Sequence, residues 1–133
     1  MASRREELVS AWLAKARHDL GAARLLIQDQ QRLFDIATFH CHQAAEKSLK
    51  AWLTGHDTIF PKTRSLEELV ALCVQSLPAF EQFTVHASEL TPLATRFRYP
   101  SAMSEPTEAL ALHALKLAEE IYAFCEERLG AGR

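Results

Sequence analysis

Glycine is scarce in this 133-residue chain: there are four, and Gly130 and Gly132 lie at its very end. Gly21 and Gly55 alone cannot build a glycine-rich phosphate loop, and neither a Rossmann nor a P-loop spacing occurs. An excess of one charge is also lacking. The formal net charge is −2 and the pI about 6.3, which excludes a polybasic nucleic-acid binder working by bulk charge but not a local basic patch. No apolar run approaches the roughly 18 residues of a bilayer-spanning helix. The opening residues Met1-Ala2-Ser3-Arg4-Arg5-Glu6-Glu7 carry no signal-peptide apolar stretch. The expectation is a cytoplasmic protein without membrane association. Cys41, Cys73 and Cys125 are odd in number and far apart, so a disulfide framework is not expected. HExxH and CxxC are both absent, and His42 with Glu46 supplies only two of the three or four ligands a zinc site needs. No metal and no cofactor are expected.

What the chain does have is apolar residues at helical spacing. A hydrophobic content of 48% with 24% charged residues is ordinary globular usage and argues against disorder. The length suits one domain over residues 1–133, with 130–133 as a frayed tail. Val9, Trp12, Ala16, Leu20, Ala23 and Ile27 share one face and predict a helix over 6–28. Ala37, Cys41, Ala44, Ser48 and Trp52 predict another over 34–54. Its small residues admit a neighbouring backbone, and Gly55 reads as a left-handed residue just past its end. Ser65-Leu66-Glu67-Glu68 reads as a capping box opening a helix over 66–77. Pro78 opens a stretch through Phe80, Phe83, Ala87 and Leu90, with a bend at Thr91-Pro92. Pro100 breaks the chain after Tyr99, and Ser104 reads as the cap of a last helix over 105–129. No strand signal and no repeat intervene. The predicted fold is all-α, an antiparallel bundle of four or five helices with two long core helices. Trp12, Leu20, Ala44 and Leu49 are expected inside, and Phe80, Phe83, Phe97 and Phe124 are candidates for a homodimer seam.

The second helix carries a polar edge that core packing does not require: His40, His42, Gln43, Glu46, Lys47 and Lys50. Gln43, Lys47 and Lys50 stand at steps of four and three and share a face. A solvated face laced by the Glu46–Lys50 pair accounts for this pattern, and so does a ligand-binding edge. His40 and His42 read as partly buried imidazoles with hydrogen-bond partners. Cys41 lies on the apolar stripe, as a core residue rather than a nucleophile would. A second basic cluster joins Lys62 and Arg64 to Arg96 and Arg98, with Tyr99 as a stacking face. Spacing alone favours a plainer reading, in which Arg96 and Arg98 compensate the dipole at a helix C-terminus.

Four segments in order carry a resemblance. They are Ala16-Arg17-His18-Asp19-Leu20 with Ala23 and Leu26; Phe39-His40-Cys41-His42-Gln43-Ala44-Ala45-Glu46-Lys47-Ser48-Leu49-Lys50-Ala51; Phe60-Pro61-Lys62-Thr63-Arg64-Ser65-Leu66 with Leu69; and Arg98-Tyr99-Pro100. The sequence resembles the HEPN-domain family of small prokaryotic helical proteins. The resemblance implies two long antiparallel core helices, a tendency to dimerise, and pairing with a minimal nucleotidyltransferase in toxin–antitoxin or nucleotide-handling modules. Some members bind nucleotides and others are metal-independent ribonucleases.

The ribonuclease branch has an arginine and a histidine with four to six residues between them. After Arg98 those positions hold Met103, Ser104 and Glu105, and after Arg96 they hold Ser101, Ala102 and Met103. Arg64 stands where many relatives have histidine, which replaces a titratable group by a fixed cation. The implied function is a non-catalytic HEPN module that binds a nucleotide or other phosphorylated ligand and works with a nucleotidyltransferase. Its contacts are Gln43, Lys47, Lys50, Arg64, Arg98 and Tyr99, with Asp19 and Glu46 orienting the cations. Lys47, Lys50 and Arg98 are expected in one groove, closed on one side by residues 62–64. The alternatives are a metal-independent ribonuclease toxin, acting on RNA through a displaced catalytic pair, and a purely structural homodimer.

Overall fold

The computed structural model describes residues 1–100 and 105–130. Five α-helices follow in order: α1 (Arg4–Gln28), α2 (Phe34–Gly55), α3 (Leu66–Ser76), α4 (Thr84–Leu90) and α5 (Glu108–Gly130). Two 3-10 turns, Pro78–Phe83 and Thr91–Ala94, flank α4. Among the described residues there is no strand, and no helix is long and apolar enough to cross a membrane.

Ser3 starts α1 by accepting the Glu6 amide at 3.1 Å, and Glu6 and Glu7 complement the helix dipole. The inner face of α1 is Val9, Leu13, Ala16, Leu20, Ala23 and Ile27. Leu13 thus takes the place that the sequence pattern assigns to Trp12. Leu13 is in step with Ala16 and Leu20, while the half-buried Trp12 lies at the flank with its ring 5.6 Å from Lys50 Nζ. Leu20, Ala44 and Leu49 are buried as expected.

α1 and α2 run antiparallel. Arg5 at the start of α1 pairs with Asp57 beyond α2, Asp19 meets His40 midway, and Ile27 packs with Phe34 where the chain turns. α5 lies against both, antiparallel to α1. Arg24 pairs with Glu119 at 2.6 Å, and Leu129 packs beside Val9 and Leu13.

Gly55 explains how closely these ends approach. A Cβ there would sit 3.0 Å from Leu129 Cδ2 and 3.4 Å from Val9 Cγ2. It is the last residue of α2 and not a left-handed cap, so the smallness serves packing. The left-handed residues are Asp57 (φ 53°) and Arg32 (φ 55°).

The Ser65 cap forms as predicted, its hydroxyl accepting the Glu68 amide at 3.2 Å. Beyond α3 the single helical stretch is divided, because Pro78 and Pro92 each open a 3-10 turn. Phe80, Phe83 and Phe124 meet edge to face at centroid distances of 4.9–6.1 Å. Phe80 and Phe83 are buried in the protomer's own core, which removes them as seam residues. The Ser104 cap lies outside the described residues. Thr107 caps α5 instead, its hydroxyl accepting the Leu110 amide at 3.1 Å.

Candidate functional site

The polar edge of α2 divides in two. Toward α1, Asp19 takes His40 Nδ1 on one carboxylate oxygen at 2.8 Å and Lys47 Nζ on the other at 2.6 Å. Burial pushes the Asp19 carboxyl up, but these two hydrogen bonds and the charges behind them prevail and hold it below the usual carboxylate range. Lys47 is therefore committed to α1, although its helical step places it with Gln43 and Lys50.

The other half faces the loop before α3 and forms a cavity of about 430 Å³. α2 supplies Phe39, Gln43, Glu46 and Lys50, and the loop supplies Lys62, Thr63 and Arg64. Lys50 Nζ lies 3.1 Å from Glu46 and within 5.6 Å of the Trp12 and Phe60 ring centres. The Lys50 and Glu46 side chains are only 14% and 13% exposed, so this pair forms a largely buried floor. Lys62 and Arg64 are exposed and have no carboxylate within ion-pair distance among the described residues. Three cations against one carboxylate leave two positive charges in the concavity.

His42 holds the two walls together. Its ring is fully buried, with Nε2 3.1 Å from the Arg64 carbonyl and Nδ1 3.2 Å from the Gln43 side-chain amide. A carbonyl can only accept, so Nε2 donates to Arg64. At Nδ1 the facing atom of Gln43 is Oε1, so the ring lies between the loop carbonyl and the Gln43 amide. The loop is pinned again where Thr63 Oγ1 accepts the Ser65 amide at 3.0 Å and Thr91 Oγ1 accepts the Leu66 amide at 3.0 Å.

Arg98 does not enter this cavity. Its guanidinium lies 4.3 Å from the centre of the Phe39 ring, on a neighbouring cavity of about 410 Å³ that also meets His40, Asp35 and Phe97. Phe39 is the wall between the two. The expected common groove of Lys47, Lys50 and Arg98 is thus replaced by three separate settings. Gln43, Lys50 and Arg64 do converge, with Glu46 beside them. Tyr99 is 69% exposed and lines neither cavity.

Residue pattern alone does not mark Phe39 as a partition or His42 as a tie between walls. A histidine beside a glutamine is the available signal, but its partner lies 22 residues on. Burial pushes the Cys41 and Cys73 thiols up to about 12, and Cys125 is also raised, so all three stay protonated at neutral pH and are poor nucleophiles. No group of three metal-ligating side chains occurs among the described residues.

This bundle, with its α2 motif folded against the loop before α3, defines a HEPN domain. The HEPN domain family model matches residues 9–128, and the chain belongs to that family. The crystal structure of TT1696 from Thermus thermophilus is similar at a TM-score of 0.75 and 29% identity, over 90% of this chain and 96% of that one. The crystal structure of ST0689, an archaeal HEPN homologue, gives a TM-score of 0.71 at 25% identity, over 91% of this chain and 97% of that one. No curated protein matches the chain.

Proposed function

We propose that this HEPN protein is a non-catalytic cytoplasmic module that binds a nucleotide, or another phosphorylated ligand, between α2 and residues 62–64. It works as a homodimer with a minimal nucleotidyltransferase partner, in a toxin–antitoxin-like pair. The convergence of Lys50, Lys62 and Arg64 with the Gln43 amide carries the ligand-binding part of this reading. Two unpaired cations in a concavity repel each other unless an anion joins them, and guanidinium and ammonium groups are strong phosphate donors. The partnership and the dimer rest on the family resemblance.

A thermal-shift screen against nucleotides tests the binding. A ligand at 100 times its Kd stabilises the folded state by about 2.7 kcal/mol, and Lys62→Ala with Arg64→Ala should abolish that shift. Co-purification with a nucleotidyltransferase encoded nearby tests the partnership, and light scattering tests the dimer.

One observation favours a second reading, the ribonuclease with a displaced catalytic pair. His40 and Arg98 line the same cavity, and Asp19 fixes His40 through Nδ1 as an orienting carboxylate would. Metal-independent RNA cleavage by the purified protein, removed by Arg98→Ala, would establish it.

A further inference from the structure

The ligand class follows from the arrangement of charge and donors in the Gln43–Arg64 cavity, and the inference rests on the nucleotide-binding reading above. Lys50 and Glu46 compensate each other at the floor. The uncompensated charge is therefore at the rim, on Lys62 and Arg64, adjacent in the loop but for Thr63. We infer that this rim selects a terminal phosphate monoester, so that the cavity takes a nucleoside monophosphate in preference to the internal phosphodiesters of RNA.

Two properties of phosphate separate the classes. A monoester carries about −1.5 to −2 charge at pH 7, with its second pKa near 6, and so matches two uncompensated cations. A diester carries a single negative charge. A monoester also has three terminal oxygens where a diester has two. The Arg64 fork engages two oxygens in parallel and the Lys62 ammonium takes the third, which a diester cannot provide.

The remainder of the cavity suits the rest of a mononucleotide. Phe39 offers an apolar wall, its ring braced by Arg98. Gln43 offers an amide that can meet a donor and an acceptor on a base edge. About 430 Å³ falls in the range of roughly 300–1,000 Å³ usual for small-molecule sites. The whole chain, at net charge −2, provides no long-range field to gather a polyanion.

Calorimetric titration of the whole chain near pH 7.5 tests the inference. The probes are the four ribonucleoside 5′-monophosphates, their 3′,5′-cyclic diesters, and a short single-stranded RNA with 5′- and 3′-hydroxyl ends. At least one 5′-monophosphate should bind about tenfold or more tighter than its cyclic counterpart and than the RNA. That advantage should shrink near pH 5.5, where the monoester is mostly monoanionic. Lys62→Ala removes the contact to the third oxygen and should weaken the monoester more than the cyclic form, whereas Arg64→Lys should weaken both. Equal affinity for monoester and diester, or tighter binding of the RNA, overturns the inference and leaves nucleotide binding intact. Failure of every nucleotide to bind overturns both.

Discussion

The buried ring of His42 donates to the backbone carbonyl of Arg64 across 3.1 Å, and this bond fixes the loop that carries two of the site's three cations to the helix that carries the third. The cavity is therefore a product of tertiary structure. Its cationic rim is held by a residue that is itself wholly buried and reaches no ligand.

Replacing that ring tests the tie. His42→Phe refills the volume but leaves the Arg64 carbonyl without its donor. His42→Ala loses the volume as well. The expected cost for His42→Ala is about 2–3 kcal/mol, and less for His42→Phe. In both variants the nucleotide-induced thermal shift should fall further than the lost stability explains. A His42→Phe protein with undiminished nucleotide affinity would show that the loop needs no such anchor.

The helices are readable from the sequence because each long one carries an apolar stripe that only a helix makes continuous. Phase is less secure. Trp12 and Leu13 are neighbours, and the larger side chain is the one at the flank. Gly55 has two possible uses, a left-handed cap or a close approach, and only the position of Leu129 decides between them. The candidate site is half legible. Gln43, Lys50 and Arg64 stand out by residue type, spacing and family motif. Helical spacing groups Lys47 with them because it cannot show that Asp19 lies opposite. Residue type groups Arg98 with them too, because a residue between a 3-10 turn and a proline has no direction until Phe39 is placed beneath it.

Asp19 predicts a pH dependence. Its carboxyl is held below the ordinary value in the folded state, so it contributes stability that is present above the unfolded value of about 3.9 and is lost as pH falls through the lower folded value. Asp19→Asn should melt at a lower temperature than wild type at neutral pH. The gap should close as pH drops below about 4. Melting curves followed by circular dichroism over the acid range check this, and a gap that stays constant down to about pH 2 would contradict it.

Phe80 belongs to the protomer core, between Trp52, Phe83 and Phe124 at centroid distances of 4.9–6.1 Å. Phe80→Ala should cost about 3–5 kcal/mol in chemical denaturation. The molecular mass of the folded variant should equal that of wild type by light scattering. Dissociation of a dimer without loss of folding stability would return Phe80 to a subunit seam.

Arg98 touches the wall of the cavity and not its interior. Arg98→Ala should weaken mononucleotide binding less than about tenfold, by loosening Phe39. Arg64→Ala, which removes the proposed phosphate donor, should weaken it by more than that. Calorimetry on the two variants side by side gives the comparison, and the reverse order would place the phosphate next to Arg98.

A crystal structure of the protein with a nucleoside 5′-monophosphate tests the central claim most directly. The account predicts the phosphate within hydrogen-bond distance of Lys62 and Arg64 and the base between Phe39 and Gln43. Nucleotide bound beside His40 and Arg98, or density for a nucleotide anywhere but the Gln43–Arg64 cavity at saturating ligand, would contradict it.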